Sequence, residues 1–414
     1  MSYNSYNRGP RHHMATKRYS PRPNTAKRRG QFIDPSRFIK KANPAESSNY
    51  VAQHSFNDFA IHPLIKSNIA IMGYLKPSEI QDKSIPLGLT GHDIVGVANT
   101  GTGKTAAFAV PILNKLMHDR TTQALIITPT RELALQIAEQ CKLLARNSGL
   151  SDALLIGGLP LARQVTALKN HANIIIGTPG RIKDHLRQGT LNLGDCSMTV
   201  LDEVDRMLDM GFIKDVRSIL DLLPAQRQSF FFSATVGGEV RTLIQSFTKD
   251  PLVINVKAGE TSDNVHQDIV KYSSKLERID KLHDILISQP VKKTLIFGET
   301  KYGVERLSRE LKTRGFKADA LHGNKTQGQR RRALDSFRNN GIDILVATDV
   351  AARGIDVIDI THVINFDVPH TYNDYIHRVG RAGRANNTGY ALTFIETSLP
   401  VTTSNPWRIA KAPL

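Results

Sequence analysis

This 414-residue chain predicts an α/β protein with two parallel-sheet domains in tandem, preceded by a basic tail expected to be disordered. Three observations carry that expectation. Short apolar runs alternate with helix-like segments, the signature of strands buried on both faces. Each run in the first half ends in a polar or Gly-containing loop (PTREL, GGLP, GTPGR, DEVD, SAT), and in doubly wound sheets ligands bind at the carboxyl ends of strands. The composition then breaks at Lys257 to Asn264 (KAGETSDN), after which the alternation restarts. The expected divisions are a tail at 1–50, a first domain at 51–256, a linker at 257–264, a second domain at 265–400 and a C-terminal segment at 401–414. The length suffices for two cores.

Composition narrows the function classes. A hydrophobic content of 40% with 22% charged residues describes a soluble globular chain. No apolar run approaches the ~18 residues of a membrane span, so no membrane role is expected. Cys141 and Cys196 are far apart and lack metal-ligand spacing, which suits buried thiols in a reduced compartment. The net charge of +17 is uneven: residues 1–50 hold eleven Lys/Arg against Asp34 and Glu46, a net of +9 that leaves +8 for the rest. Such an excess attracts polyanions, nucleic acid above all, although a solubilising tail is the plainer alternative. Tyr3, Tyr6 and Tyr19 interleave with the basic residues, as stacking on single-stranded bases would require. An Arg/Ser-rich start also resembles a transit peptide, but amphipathic periodicity is missing. A non-specific nucleic-acid arm and a cytoplasmic location are therefore expected.

In chain order, Leu64, Ile65, Ile69, Ile71 and Met72 recur at helical spacing. GYLKPSEIQ (Gly73 to Gln81) follows, where Pro77 is expected to start a helix with Gln81 one turn in. A glutamine amide both donates and accepts, which fits an adenine edge, and Tyr74 and Phe56 offer aromatic surface; core aromatics and a solvated Gln suit the pattern equally. Next come an apolar run, Asp93 to Val97, then ANTGTGKT (Ala98 to Thr105), then a helix-like segment, Ala106 to Met117. Strand, Gly-rich loop and helix is the context of a phosphate cradle. Gly101 and Gly103 let backbone N–H groups curl around phosphate oxygens, Lys104 reaches the β- and γ-phosphates, and Thr105 offers its hydroxyl to Mg²⁺.

Buried strands are expected at Ala124 to Ile127, Ala153 to Ile156, Ile174 to Ile176, Met198 to Leu201 and Ser229 to Phe232. Asp202 and Glu203 close the fourth of these. There Asp202 suits Mg²⁺ held largely through water, and Glu203 suits orientation of an attacking water. In the second unit, strands are expected at Thr294 to Phe297, Asp343 to Ala347 and His362 to Phe366, with no second phosphate loop. One nucleotide must then serve both domains. HRVGRAGR (His377 to Arg384) spaces three arginines three residues apart, suiting phosphate charge, an RNA backbone or a surface stripe alike.

Together these stretches resemble the DEAD-box family of ATP-dependent RNA helicases, from about Phe56 to Phe394. GYLKPSEIQ is similar to the family's Q motif, ANTGTGKT to motif I and PTRELA to motif Ia. Gly157-Gly158 and TPGR (Thr178 to Arg181) match two RNA-facing motifs, DEVD (Asp202 to Asp205) motif II and SAT motif III. LIFGET, the pair Gln327 and Arg330, ATDVAARGID and HRVGRAGR match the motifs of the second domain. The resemblance implies two RecA-like domains that close over ATP, Mg²⁺ and single-stranded RNA. It implies a nucleotide site of Phe56, Tyr74, Gln81, Thr100, Gly101, Thr102, Gly103, Lys104, Thr105 and Asp356. Hydrolysis would fall to Lys104, Asp202, Glu203, Arg381 and Arg384, with Thr105 and Asp202 toward the metal. Coupling would fall to Asp205, Ser233, Thr235 and His377. An RNA track would run over Arg131, Gly158, Thr178, Arg181, Thr300, His322, Gly323, Gln327, Arg330 and Thr348.

By the same resemblance the chain is expected to be a monomeric core that acts on single-stranded and duplex RNA without reading sequence, within ribonucleoprotein complexes. Its product would be local, non-processive strand separation or RNA–protein remodelling; an ATP-dependent RNA clamp and a DNA translocase are the competing expectations. Val204 stands where the family has alanine, which is expected to alter local packing but keep all three carboxylates.

Overall fold

A computed structural model describes residue 1 and residues 33–42, 50–99, 101–256, 264–288, 292–352, 355, 357, 359–383 and 387–397. In the first domain seven strands form one sheet: β1 (Ile94–Val97), β2 (Gln123–Ile127), β3 (Asp152–Leu155), β4 (Ile174–Gly177), β5 (Cys196–Asp202), β6 (Gln228–Ser233) and β7 (Leu252–Asn255). All pairings are parallel, in the order β3-β4-β2-β5-β6-β1-β7. The second domain holds β8 (Val265–Tyr272), β9 (Thr294–Phe297), β10 (Ala318–Leu321), β11 (Ile344–Ala347), β12 (His362–Asn365) and β13 (Gly389–Glu396). Their order is β10-β11-β9-β12-β13-β8, again parallel throughout. Helices cover both faces of each sheet, which matches the RecA-like architecture.

The two-residue period of a strand explains why the runs are apolar throughout. Ile94, Ala124, Ile126, Ile174, Ile176, Val200, Phe230 and Phe232 face one buried cluster, while Val95, Leu125, Ile127, Ile175, Leu201 and Phe231 face the other. The second sheet repeats the alternation: Leu295, Phe297, Leu345 and Val363 lie on one side, Ile296, Ile344, Val346 and Ile364 on the other. Two-sided burial fixes the register, because a slip of one residue would exchange the two faces. Every loop at a carboxyl end is thereby aimed at one edge. The Ala98 N–H, just past β1, donates to the Ser233 carbonyl at the end of β6 at 3.0 Å.

Several expectations need correction. The helix expected at Pro77 begins at Glu79, with Ser78 as its cap, because Ser78 and Gln81 form a reciprocal capping box. Four strands escape the apolar-run criterion. β7 is a short, largely exposed edge, β8 and β13 mix polar residues with apolar ones, and β10 reads ADAL without a β-branched residue. The tail expected to be disordered to residue 50 contains a folded piece: Pro35–Phe38 is a short 3₁₀ turn with Ile33 and Phe38 buried against the second domain. Two apolar anchors suffice there because the receiving surface is already built. Val204 is 1% exposed and packs with the apolar cluster that holds Met207 and Val216, so the added branch is accommodated in the core. Among the described residues no helix is long and apolar enough to cross a membrane.

Gly96 on β1 sits opposite Phe232 on β6, and a Cβ there would lie 2.4 Å from the Phe232 ring. That ring is itself held against Phe108, with centroids 5.5 Å apart. Gly96→Ala should therefore cost about 1–3 kcal/mol by overpacking. Urea unfolding checks it: an unmoved midpoint would mean that the ring swings aside freely.

Candidate nucleotide site and nucleic-acid face

The loop after β1 is shaped for an anion. Gly101 and Gly103 adopt left-handed φ values of 88° and 93°, which branched residues resist, and Gly103 caps the helix Lys104–His118. The N-terminus of that helix favours negative charge. Thr102 Oγ1 donates to the Asn99 carbonyl at 2.8 Å, and buried Lys104 donates to the Ala98 carbonyl at 3.1 Å. Thr105 lies in the first turn of the helix.

Gln81 is placed differently from the adenine-facing position expected of it. Its Nε2 donates to the Gly103 carbonyl at 3.0 Å and its Oε1 accepts from Ser78 N–H at 3.0 Å, so one end of the amide grips the loop and the other closes the cap of its own helix. A Cβ on Gly103 would lie 2.4 Å from that Nε2, so glycine is required there for the amide to approach. Tyr74 and Phe56 lie 6.1 Å apart by ring centroid, and both pack in or against the first-domain core; Phe56 is buried.

Asp202 ends β5 and is 2% exposed. Burial pushes its carboxyl up to about 6, opposed by Lys104 and reinforced by Glu203. Glu203 takes a left-handed φ of 56°, unusual for a non-glycine residue, and its Oε2 is buried without a hydrogen-bond partner. Asp205 accepts from the Thr235 N–H at 3.0 Å and the Thr235 hydroxyl at 3.1 Å, while its own N–H donates to Ser233 Oγ at 3.3 Å. The ends of β5 and β6 thus move as one unit. Lys104, Thr105, Asp202 and Glu203 together fit a magnesium-bound triphosphate: a cationic Gly-rich cradle, a hydroxyl, a buried carboxylate and an orphaned carboxylate oxygen.

Strand order separates two faces. Arg131, Gly158, Thr178 and Arg181 follow β2, β3 and β4, while Thr300, His322, Gly323 and Thr348 follow β9, β10 and β11. These strands are one contiguous half of each sheet, whereas the phosphate loop, Asp202, Ser233 and the helix Tyr372–Val379 belong to the other half. The Arg131 guanidinium lies on the Gly157-Gly158 backbone, where added Cβ atoms would come within 2.5 and 2.8 Å of it. Burial first, and then neighbouring Arg330, lower the Arg131 pKa. Thr178 and Thr300 cap helices, and His322 pairs with Glu305 at 2.9 Å.

Arg330 departs from the RNA track. Its Nη2 and Nε meet one Glu132 oxygen at 2.7 and 2.8 Å, with both side chains buried, so it is a bridge between domains. Gln327, one turn earlier, faces Gly158 across the same seam. A second crossing joins buried Arg206 to Asp374 at 3.6 Å. Glu132, Arg206 and Asp374 were missed in the sequence; a carboxylate beside Arg131 in PTREL was the available signal for the first. Arg378 is structural: two 2.6 Å contacts bind it to Asp349. His377, Arg378 and Arg381 share a small cleft with Arg206, and Arg381 donates to the Ile355 carbonyl at 3.1 Å. Thr100, Asp356 and Arg384 lie outside the described residues.

Comparison with known proteins agrees with this geometry. Residues 78–243 match the DEAD/DEAH box helicase family and residues 276–386 the helicase conserved C-terminal domain. This chain belongs to the DEAD-box helicase family. It is 43% identical over 343 residues to the ATP-dependent RNA helicase CshA of Listeria monocytogenes, covering 82% of this chain and 66% of that relative, so it spans about two thirds of the relative's length. A DEAD box protein from Methanococcus jannaschii is 40% identical, with 84% of this chain and 94% of that chain covered and a TM-score of 0.50. S. cerevisiae Dbp5 bound to RNA and ADP BeF3 is 29% identical, with 83% and 90% covered, yet its TM-score is 0.74.

Two outcomes test the site. Asp202 has its pKa raised on folding, so its cost to stability is absent below the unfolded value and complete above about 6. Asp202→Asn should stabilise the nucleotide-free protein at pH 8 by roughly 1–3 kcal/mol, with the gain vanishing near pH 4. A pH-independent difference in unfolding midpoint would refute the buried charge. Arg330→Ala should separate the domains rather than unfold them, since opening rehydrates a carboxylate whose isolation costs about 3–5 kcal/mol. Fluorescence transfer between dyes on the two domains reads that shift, and Arg330→Lys should not fully restore it.

Proposed function

We propose that this chain is an RNA-stimulated ATPase that locally separates short RNA duplexes or remodels RNA–protein complexes. The observation that carries this is the meeting of two incomplete half-sites: Glu132 with Arg330 on one side of the seam, Arg206 with Asp374 on the other. A phosphate cradle in one domain and an arginine-bearing helix in the other then face one triphosphate. The fit to an RNA- and nucleotide-bound relative, better than to a more identical one, supports the same arrangement of domains.

In this reading Lys104 and Thr105 hold phosphate and Mg²⁺, and Asp202 meets the metal largely through water. Glu203 orients the attacking water with its unpartnered Oε2, and Arg381 and Arg384 approach the γ-phosphate. Arg131, Thr178, Arg181, Thr300, Gly323 and Thr348 line the RNA backbone, which favours RNA without sequence preference. ATP and RNA each bind the joined domains better than the separated ones, so each raises the affinity for the other. Monomeric action in the cytoplasm within ribonucleoprotein complexes belongs to the same proposal.

The deciding comparison is ATP turnover with matched RNA and DNA single strands. RNA should stimulate strongly and DNA weakly; equal stimulation would favour a DNA translocase. Glu203→Gln should keep ATP and RNA binding but trap the complex, and release as fast as in the parent would remove Glu203 from its role. Deleting residues 1–31 should weaken RNA binding and flatten its salt dependence while sparing RNA-saturated turnover.

A further inference from the structure

The folded piece within the basic tail touches the arginine-bearing helix directly. Asp34 caps the turn, accepting from the Ser36 N–H at 2.9 Å and the Ser36 hydroxyl at 2.7 Å, and Pro35 occupies the first position. The turn sends Ile33 and Phe38 to one side, 3% and 1% exposed, while Asp34, Ser36, Arg37 and Ile39 stay exposed. Phe38 packs on Tyr375 with ring centroids 4.6 Å apart, and the Arg37 guanidinium lies 3.5 Å over the Tyr372 ring. Lys40 then pairs with Gln267 on the edge strand β8 through backbone bonds of 3.0 and 2.8 Å. The Gln267 side chain accepts from the Tyr375 hydroxyl at 2.8 Å, and Ala42 N–H donates to His266 at 3.2 Å. One segment therefore fastens the helix Tyr372–Val379 to the sheet edge.

That helix has only eight residues, with His377 and Arg378 in its last turn and Arg381 just beyond. Its first turn, Tyr372 to Tyr375, is where the tail segment sits. We propose that Ile33 and Phe38 are positioning residues, which hold this helix at the setting where its arginine end meets the first domain. The chain continues to Tyr50, whose hydroxyl donates to Asp82 at 2.5 Å, beside the Gln53 N–H at 2.7 Å and the His54 ring at 2.7 Å. Asp82 adjoins Gln81, which grips the phosphate loop. The segment thus leaves the back of one half-site and arrives at the back of the other. Seven residues separate Ala42 from Tyr50, and seven separate Val256 from Asn264. With the segment docked, two connections tie the domains, each spanning at most roughly 29 Å. With it released, one remains.

This inference rests on the ATPase reading for its kinetic part and on hydrogen exchange for its structural part, so the two fail separately. In the full chain, Ile33→Ala with Phe38→Ala should speed exchange in Tyr372–Val379 and Val265–Tyr272 and leave Lys104–His118 unchanged. RNA-saturated turnover should fall roughly ten- to a hundredfold, with the KM for ATP nearly constant, because misplacement of a catalytic group lowers the reaction rate more than ground-state binding. Ile33→Val with Phe38→Leu should restore most of the rate. A peptide of residues 31–42 added to a chain lacking residues 1–42 should also restore it, a readout that survives if the double alanine variant does not fold. Unchanged exchange, or unchanged turnover despite faster exchange, would overturn the proposal; absence of RNA stimulation in the parent would instead remove the ATPase reading.

Discussion

The most buried contact at the seam between the domains, where Arg206 and Asp374 make a second crossing, is the Arg330 guanidinium against Glu132. Neither partner is paired this way within its own domain. Each is hydrated when the domains part, and each must lose that water when they join. Such pairs contribute little net stability, because desolvation offsets most of the attraction. They contribute specificity instead, since any other apposition leaves a buried charge unmatched. The neighbouring cations sharpen this constraint. Arg131 lies in the same corner, and its pKa is lowered first by burial and then by neighbouring Arg330, with Arg181 a smaller contributor. A polyanion laid along this face would relieve the repulsion.

On the other side of the sheet the logic is desolvation of an acid. Asp202 is buried with its pKa raised, and Glu203 is held at a strained φ with one oxygen unpartnered. Folding alone gains nothing from either feature. In the proposed nucleotide site both would be relieved together, since a metal-bound phosphate would bring a further cation to Asp202 and a polar partner to Glu203. Asp205 transmits the position of this pair to β6 through Ser233 and Thr235.

Much of this was legible in the chain. The apolar stretches within β1, β2, β3, β4, β5, β6, β9, β11 and β12 announce two-sided burial, and the glycines of ANTGTGKT announce a turn that takes left-handed φ at Gly101 and Gly103. What was not legible was tertiary pairing. Gln81 has the donor and acceptor that adenine needs, but a capping box and the Gly103 carbonyl need the same atoms, and only the fold shows which partner is near. Arg330 reads as one more cation until Glu132 is brought against it from 198 residues away. β8, β10 and β13 escaped because polar or small residues interrupt the apolar signal, and β7 because its run of three apolar residues is short and lies on an exposed edge.

The tail shows why composition misleads over short spans. Averaged over fifty residues, charge and polarity predict disorder, since too little apolar surface is available to offset ordering entropy. That average assumes the segment must build its own core. Ile33 and Phe38 instead enter a surface completed by Val265, Tyr375 and Leu295, so two anchors and a capped turn are enough. The segment that docks is also the one whose neighbours along the chain reach Asp82, behind the phosphate loop. Counting residues 1–50 as one tail conceals that Ile33 and Phe38 rest on the second domain while Tyr50 rests on the first. A contact of this kind stiffens the helix that carries His377 and Arg378 without contributing any residue to the phosphate loop, so under the proposed mechanism it would act on rate and leave ground-state affinity alone.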